Sequence, residues 1–193
     1  MAQLKGNKTR FDQIPLEKSD KAYLLVSTSL TRPHFDHKIE EILGLLKNLK
    51  FIKIILIYVA EAYADDFWPL GYGVNEAKTI EERKSRAQKL LDLHPRLKPL
   101  LAGVFVDNLN NDFAHVTGAW PESYIFAGKD GKLCYKSEIL NDEGEIDIGD
   151  VFEYAKSNKW TTDEDKRRAQ RYAALQQKLK STDEFGLKTK IIS

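Results

Sequence analysis

Residues Leu24–Phe35 read LLVSTSLTRPHF, an apolar strand followed by a turn rich in Ser and Thr and by a helix that a proline opens. Pro33 favours the first turn of a helix because its fixed φ angle suits that position. In many α/β redox proteins such a turn holds a cysteine. Here it holds Ser29, Thr31 and Arg32, which are not redox-active. The stretch predicts a strand–turn–helix unit whose turn contains no redox-active residue.

Hydrophobic spacing and turn residues predict the elements that surround this unit. Strands are expected at 21–26, 52–59 and 103–106, helices at 35–49, 80–93 and 150–157, a short helix at 113–116, and a hairpin on both sides of GKDGK. Alternating strands and helices predict parallel pairing, and the hairpin adds antiparallel strands. The predicted fold is α/β, a thioredoxin-like three-layer sandwich with a mixed central sheet and an extra C-terminal helix.

Composition predicts one soluble domain without a metal or cofactor. The net charge is +1, with 42% hydrophobic and 31% charged residues, which gives no general argument for nucleic acid or membrane binding. The longest apolar run is too short for a membrane span, and the N-terminus lacks the apolar region of a signal peptide, so a cytoplasmic location is expected. Cys134 is the single cysteine, which excludes an intramolecular disulfide and a CxxC pair. His34 and His37 with Asp36 lack the further ligands that a metal site needs.

Three regions are predicted along the chain. Residues 1–20 are a polar arm, residues 21–157 form the thioredoxin-like domain, and residues 158–193 form an amphipathic helix and tail. Thr161 and Glu164 give a capping-box pattern at the start of this last helix. The helix either packs on its own domain, docks a second subunit in a homodimer, or meets phosphates with its Lys and Arg residues.

Three blocks of the sequence resemble the iodothyronine deiodinases. They are TSLTRPHF, IYVAEAYADDFW and VFVDNLNNDFAHVTGAWPESYIFAGKDGKLCYK, and their order and spacing also look alike. The resemblance covers about residues 21–157 and implies a thioredoxin fold. It also implies an active-site turn at residues 28–35, which in that family contains selenocysteine.

The chain differs from that family at the positions of the family's catalytic residues. Arg32 stands at the position resembling selenocysteine, Leu30 at that of the preceding Cys, and Tyr63 at that of the active-site His. Reductive deiodination needs a selenolate or thiolate, and an arginine is a permanent cation without a nucleophilic lone pair. We therefore expect neither deiodinase nor peroxidase activity. We also expect no transmembrane anchor of the kind typical of that family.

The carboxyl ends of the parallel strands are the predicted site, because open α/β sheets bind ligands there. Arg32 is expected either to pair with Glu61, Asp65 or Asp107, or to hold a ligand oxyanion at the helix start. Pro121 is expected to follow a cis peptide bond and to face the turn. The candidate catalytic residues are Ser29, Arg32, Glu61, Tyr63 and Glu122. The candidate ligand-binding residues are Thr31, His34, Asp65, Trp68, Asp107 and Asn111.

Each of these side chains also has a structural interpretation. Ser29 and Thr31 could cap the turn, Asp107 the short helix, and Trp68 could pack on the core beside a solvated acidic loop.

The N-terminal half also resembles the tRNA-dependent cyclodipeptide synthases. The similar stretches are VSTSLTRPHF, LIYVAEAY and PLGYGVNEAKTIEERKSRAQKLL. This resemblance implies Ser29 as an acyl-transfer nucleophile and the Lys and Arg residues of 83–89 as a tRNA-binding face. The helical second half of those enzymes has no counterpart in this sequence.

Three functions are consistent with the sequence, and it leaves open whether the protein is an enzyme. The first is a non-redox enzyme or binding protein for a small polar or aromatic ligand at the strand ends. The second is the tRNA-dependent acyl transfer. The third is a non-catalytic scaffold, a pseudoenzyme. An enzyme should have a deep cleft with shifted carboxyl pKa values, whereas a scaffold should fill that cleft with its own side chains.

Overall fold

The computed structural model describes residues 21–141 and 144–157 of this chain. The predicted arm 1–20 and the predicted C-terminal helix and tail 158–193 lie outside the described residues. The strands are β1 Ala22–Thr28, β2 Ile52–Tyr58, β3 Gly103–Val106, β4 Ser123–Ala127 and β5 Leu133–Lys136. The helices are α1 Pro33–His37, α2 Ile39–Asn48, α3 Ile80–Leu93, α4 Asp112–Thr117 and α5 Ile148–Lys156, with a 3-10 turn at Lys98–Leu100.

The five strands form one mixed sheet in the order β3-β2-β1-β4-β5. β1 pairs in parallel with β2, and β2 pairs in parallel with β3. β4 runs antiparallel to β1 and to β5, so the closing hairpin completes the sheet as the sequence predicts. This topology confirms the thioredoxin-like α/β fold class.

Apolar side chains alternate between the two faces of the sheet and build two cores. Leu24 and Val26 point to the face covered by α2, α3 and α5, and Leu25 points to the opposite face with Phe113 of α4. A fully buried leucine contributes about 1.5–3 kcal/mol through removal of its surface from water. The burial of both faces explains why β1 and β2 read as nearly continuous apolar runs.

The prediction of a single helix at 35–49 is wrong in one detail, because the structure has two helices there that meet at Lys38. The backbone of Lys38 has ψ 8°, away from the helical region. Its N–H still donates to the His34 carbonyl, and its own carbonyl accepts from the Ile42 N–H. Backbone hydrogen bonds through Lys38 therefore join the two helices.

The carboxyl ends of β1, β2 and β3 meet at one edge of the sheet. The N–H of Val59 donates to the Thr28 carbonyl over 3.0 Å, and the N–H of Asp107 donates to the Tyr58 carbonyl over 2.8 Å. The peptide bond between Trp120 and Pro121, just before β4, is cis, which confirms that prediction. Among the helices of residues 21–141 and 144–157, none combines the length and apolar character that a membrane crossing needs.

Candidate functional site

We call the region where β1, β2 and β3 end, together with the loop before β4, the strand-end edge. Arg32 lies at its centre, at the start of α1, and is only 3% exposed. Its Nε donates to Glu122 Oε2 over 3.0 Å, and its Nη2 donates to the Gly144 carbonyl. The partners Glu61, Asp65 and Asp107 expected from sequence are wrong, because the carboxylate that binds Arg32 comes from the loop after the cis-proline.

Glu122 collects three donors in a site closed to solvent. Glu122 Oε2, which accepts from Arg32, also lies 2.9 Å from His34 Nδ1. Glu122 Oε1 accepts from the Tyr124 hydroxyl over 3.0 Å. The N–H of Ile146 lies 3.4 Å from His34 Nε2, so Nε2 must accept and Nδ1 carries the proton given to Glu122. Burial, and then the negative charge of Glu122, raise the pKa of Tyr124 well above its usual value. The buried charge of Glu122 is therefore compensated by three side chains, Arg32, His34 and Tyr124.

A second buried carboxyl, Glu61, ties the turn after β1 to the end of β2. Its Oε2 accepts from the Thr31 N–H at 3.1 Å and the Thr31 hydroxyl at 2.9 Å, and its Oε1 accepts from Tyr58. Arg86 Nη1 lies 3.7 Å from the same carboxylate. Burial raises the pKa of Glu61, and the bonds from Tyr58 and Thr31 oppose that rise. Burial also raises the pKa of Tyr58.

The hydroxyls of the turn are used in local bonds. Ser29 Oγ is buried and accepts from the Ala62 N–H over 3.1 Å. Thr31 Oγ1 accepts from the Tyr63 N–H over 3.0 Å while it donates to Glu61. The side chain of Tyr63 is partly exposed at the same place. Ser29, Thr31, Glu61 and Tyr63 are therefore brought together, but through bonds that close the turn.

Arg83 of α3 fills the space at the ends of β2 and β3. Its guanidinium donates to the carbonyls of Asp107 and Asn108, to Asn111 Oδ1 at 2.8 Å and to Glu76 Oε1 at 3.0 Å. The other oxygen of Glu76 accepts from the Glu61 N–H. Arg83 and Glu76 thus link the turn after β2 to the loop after β3.

Asp107 and Asn111 start α4. Asp107 is completely buried and its oxygens accept from the backbone N–H groups of Asn108, Phe113 and Ala114. Burial raises the pKa of Asp107, and these three bonds oppose the rise. Asn111 has a φ of 56°, a left-handed conformation that asparagine tolerates better than most residues. Both side chains are held in the start of this helix, away from the Arg32 network.

The solvent-facing part of the strand-end edge is apolar. The loop after β2 and the cis-proline loop expose large side chains that we call the apolar rim: Phe67 (79% exposed), Trp68 (66%), Leu70 (53%), Tyr72 (42%) and Trp120 (48%). Trp120 Nε1 donates to the Ala60 carbonyl over 3.2 Å, which joins the two loops. Trp68 is therefore not packed on the core.

The apolar rim lies close to the Arg32 site. Partial burial raises the pKa of Tyr72, the charge of Asp36 and the hydroxyl of Tyr63 add to the rise, and the cation of Arg32 opposes it. These influences place Tyr72 within electrostatic reach of the helix start. Asp65 sits beneath the rim, where its Oδ2 accepts from the Gly73 N–H over 2.7 Å.

The sequence did not single out Tyr58, Glu76, Arg83, Arg86 or Tyr124 as part of this edge. The resemblance to the cyclodipeptide synthases instead implies that Arg83 and Arg86 belong to a tRNA-binding face. Their spacing from the apolar residues Ala87, Leu90 and Leu91 was the available signal, because it places Arg83 on the buried face of α3. Across the part of the chain that the structure describes, no group of His, Cys, Asp and Glu is arranged to hold a metal ion.

Comparisons with known proteins find solved structures at low sequence identity. No family model matches the chain. A secreted disulfide oxidoreductase of Mycobacterium tuberculosis is 11% identical over 72% of this chain and 84% of its own, with a TM-score of 0.47. A putative thioredoxin of Neisseria meningitidis is 11% identical over 78% and 81% of the two chains, with a TM-score of 0.45. A peroxiredoxin-like protein of Aquifex aeolicus is 10% identical over 72% of both, with a TM-score of 0.41.

Proposed function

We propose that this protein is a non-redox member of the thioredoxin-like fold that binds an aromatic ligand on the apolar rim of its strand-end edge. The observation that carries the proposal is the placement of Arg32. It stands at the position that resembles the selenocysteine of the deiodinases, and its guanidinium donates hydrogen bonds to Glu122 and to the Gly144 carbonyl. A buried, paired arginine is neither a redox group nor a nucleophile.

Exposure favours binding over catalysis at this edge. The polar residues suited to chemistry, Ser29, Glu61 and Glu122, are buried and bonded within the protein. The large side chains that solvent reaches are aromatic and aliphatic instead, with the carboxylate of Asp66 beside them. Aromatic side chains carry large contact area with few rotatable bonds, so they bind flat apolar groups at a low entropic cost.

A search of small aromatic acids, amines and indoles by thermal shift and calorimetry tests the proposal. Ligands that bind the wild-type protein should bind Trp68→Ala more weakly. Leu93→Ala is the matched control, since Leu93 is an exposed apolar residue on α3, outside the rim. If no compound of the panel binds, or if both variants bind as the wild type does, the rim is not a site for small aromatic ligands.

One observation favours a non-redox enzyme as a second candidate. Burial raises the pKa of Glu61, and a carboxyl with a raised pKa can serve as a general acid or base. In that case Ser29, Arg32, Tyr63 and Glu122 would help to hold the substrate. Turnover of a bound ligand that is lost in Glu61→Gln, while binding stays, would favour this candidate.

The tRNA-dependent alternative has less support from the geometry. The nucleophile it requires, Ser29, has its hydroxyl bonded to the Ala62 N–H, and Arg83 of its basic face is buried against backbone carbonyls. An electrophoretic shift of labelled tRNA by the full chain would revive it. A pure scaffold differs from the proposed binding protein in one respect, because its rim would bind no small aromatic compound.

A further inference from the structure

The apolar rim is held in a fixed shape by the loop beneath it. The Asp65 N–H donates to the Val74 carbonyl over 2.8 Å, and the N–H groups of Phe67 and Trp68 both donate to the Ala64 carbonyl. Asp66 Oδ1 accepts from the Glu76 N–H over 2.8 Å. Because the backbone is closed on itself, little ordering is needed when the exposed side chains meet a partner, and that favours association.

The apolar rim consists of five large exposed side chains from two loops. Phe67, Trp68, Leu70 and Tyr72 lie within one short segment, and Trp120 extends the surface across to the cis-proline loop. Contiguous exposed apolar residues of this kind mark interaction surfaces in soluble proteins. Trp and Tyr are also the residues that most often dominate binding at such interfaces.

The charge beside the rim is negative. Residues 54–77 contain four acidic residues and neither Lys nor Arg. Glu61 and Glu76 are compensated by Arg86 and Arg83. Within residues 21–141 and 144–157 the exposed Asp66 makes no ion pair, and neither does Asp65, whose Oδ1 is buried without a hydrogen-bond partner.

We propose that the apolar rim docks a segment of a partner protein in which apolar side chains alternate with Lys or Arg. The inference rests on the proposed function, because it uses the same rim and names the kind of ligand. Apolar side chains of the segment would pack on Phe67 and Trp68. Its cations would face the exposed carboxylate of Asp66, which speeds encounter and selects against acidic partners.

The same charges argue against the two other occupants of such a surface. A second copy of this chain would bring the two pairs of aspartates near each other, and like charges repel. A membrane surface rich in anionic lipid would also be repelled, although its apolar interior suits Trp and Phe.

Three labelled peptides of equal length test the inference on the full chain by fluorescence anisotropy. The first alternates Leu and Phe with Lys, the second replaces each Lys by Glu, and the third keeps Lys but replaces Leu and Phe by Ser. We expect binding of the first alone, and weaker binding as salt is raised.

Variants connect that binding to the rim. Phe67→Ser with Trp68→Ser should weaken binding of the first peptide by about tenfold or more, as loss of two central aromatic contacts does. Leu93→Ser is the matched control and should bind as the wild type does. Asp66→Asn keeps the oxygen that accepts from Glu76 and removes the charge, so it should weaken binding at low salt only.

Several outcomes would overturn the inference. These are equal binding of the acidic peptide, binding that the double variant leaves unchanged, dimerisation of the wild type that the double variant abolishes, or attachment to phosphatidylcholine vesicles with no peptide binding. If small aromatic compounds bind through Trp68 and no peptide does, the inference fails and the proposed function stands. If neither class binds, both fail.

Discussion

Removal of the guanidinium of Arg32 should strongly destabilise the fold. In Arg32→Met the carboxylate of Glu122 stays in a site closed to solvent and loses the cation 3.0 Å away. Breaking a buried ion pair by removing one partner costs about 3–5 kcal/mol, because an uncompensated charge remains. A typical domain is stable by about 5–15 kcal/mol, so this variant should unfold at a clearly lower urea concentration.

Two further variants separate the buried charge from lost packing. Arg32→Met with Glu122→Gln removes the charge and keeps an acceptor for Tyr124, so it should recover much of the stability lost in the single variant. Arg96→Met is the matched control, because Arg96 pairs with Glu40 at the surface with both side chains more than half exposed. That change should cost about 0–1 kcal/mol. If Arg32→Met is as mild as Arg96→Met, the proposed role of the buried pair is refuted.

Three more perturbations probe the rest of the strand-end edge. The pKa of Glu61 is 4.5 in the unfolded chain and higher in the folded protein, so the contribution of Glu61 to stability falls as the pH rises between these two pKa values. Glu61→Gln should therefore make the urea midpoint less dependent on pH in that window. An unchanged pH profile would contradict this. In Asp107→Asn an amide NH₂ would face a backbone N–H, so the free energy of unfolding should fall by about 1–3 kcal/mol, measured by thermal unfolding. An unchanged stability would refute the capping role of Asp107. Arg83→Met leaves the carboxylate of Glu76 and three other oxygens without their donor, so it should lower the free energy of unfolding at least as much as Asp107→Asn in the same assay.

The elements of the fold were predictable because each carries a local signal. The helix at Ile80–Leu93 begins at a Thr79 cap whose hydroxyl accepts from the Glu82 N–H, as its sequence pattern indicates. The strand at Gly103–Val106 is a short apolar run between turns, and the structure places it at those residues. The predicted start of β1 differs by one residue and its end by two, as strand ends often do when tertiary pairing extends them.

The pairing of side chains across the sheet was not predictable in the same way. Arg32 and Glu122 are separated by a long stretch of chain, and three acids that follow other strands were equally reasonable partners in sequence. The choice depends on how closely the cis-proline loop approaches the turn, which is a property of tertiary packing. Arg83 was missed for a related reason, since a buried arginine is unusual unless it is paired and satisfied by several acceptors.

The most direct test of the central claim is a thiol-redox assay of the full chain and of Cys134→Ser. Cys134 lies on β5, with its Sγ 3.5 Å from the Phe126 carbonyl, and Arg32 occupies the turn where the redox residue would stand. With glutathione or dithiothreitol as reductant and a disulfide or peroxide as substrate, both proteins should show only the background rate. Turnover by the wild type that disappears in Cys134→Ser would contradict the claim that this fold works without redox chemistry.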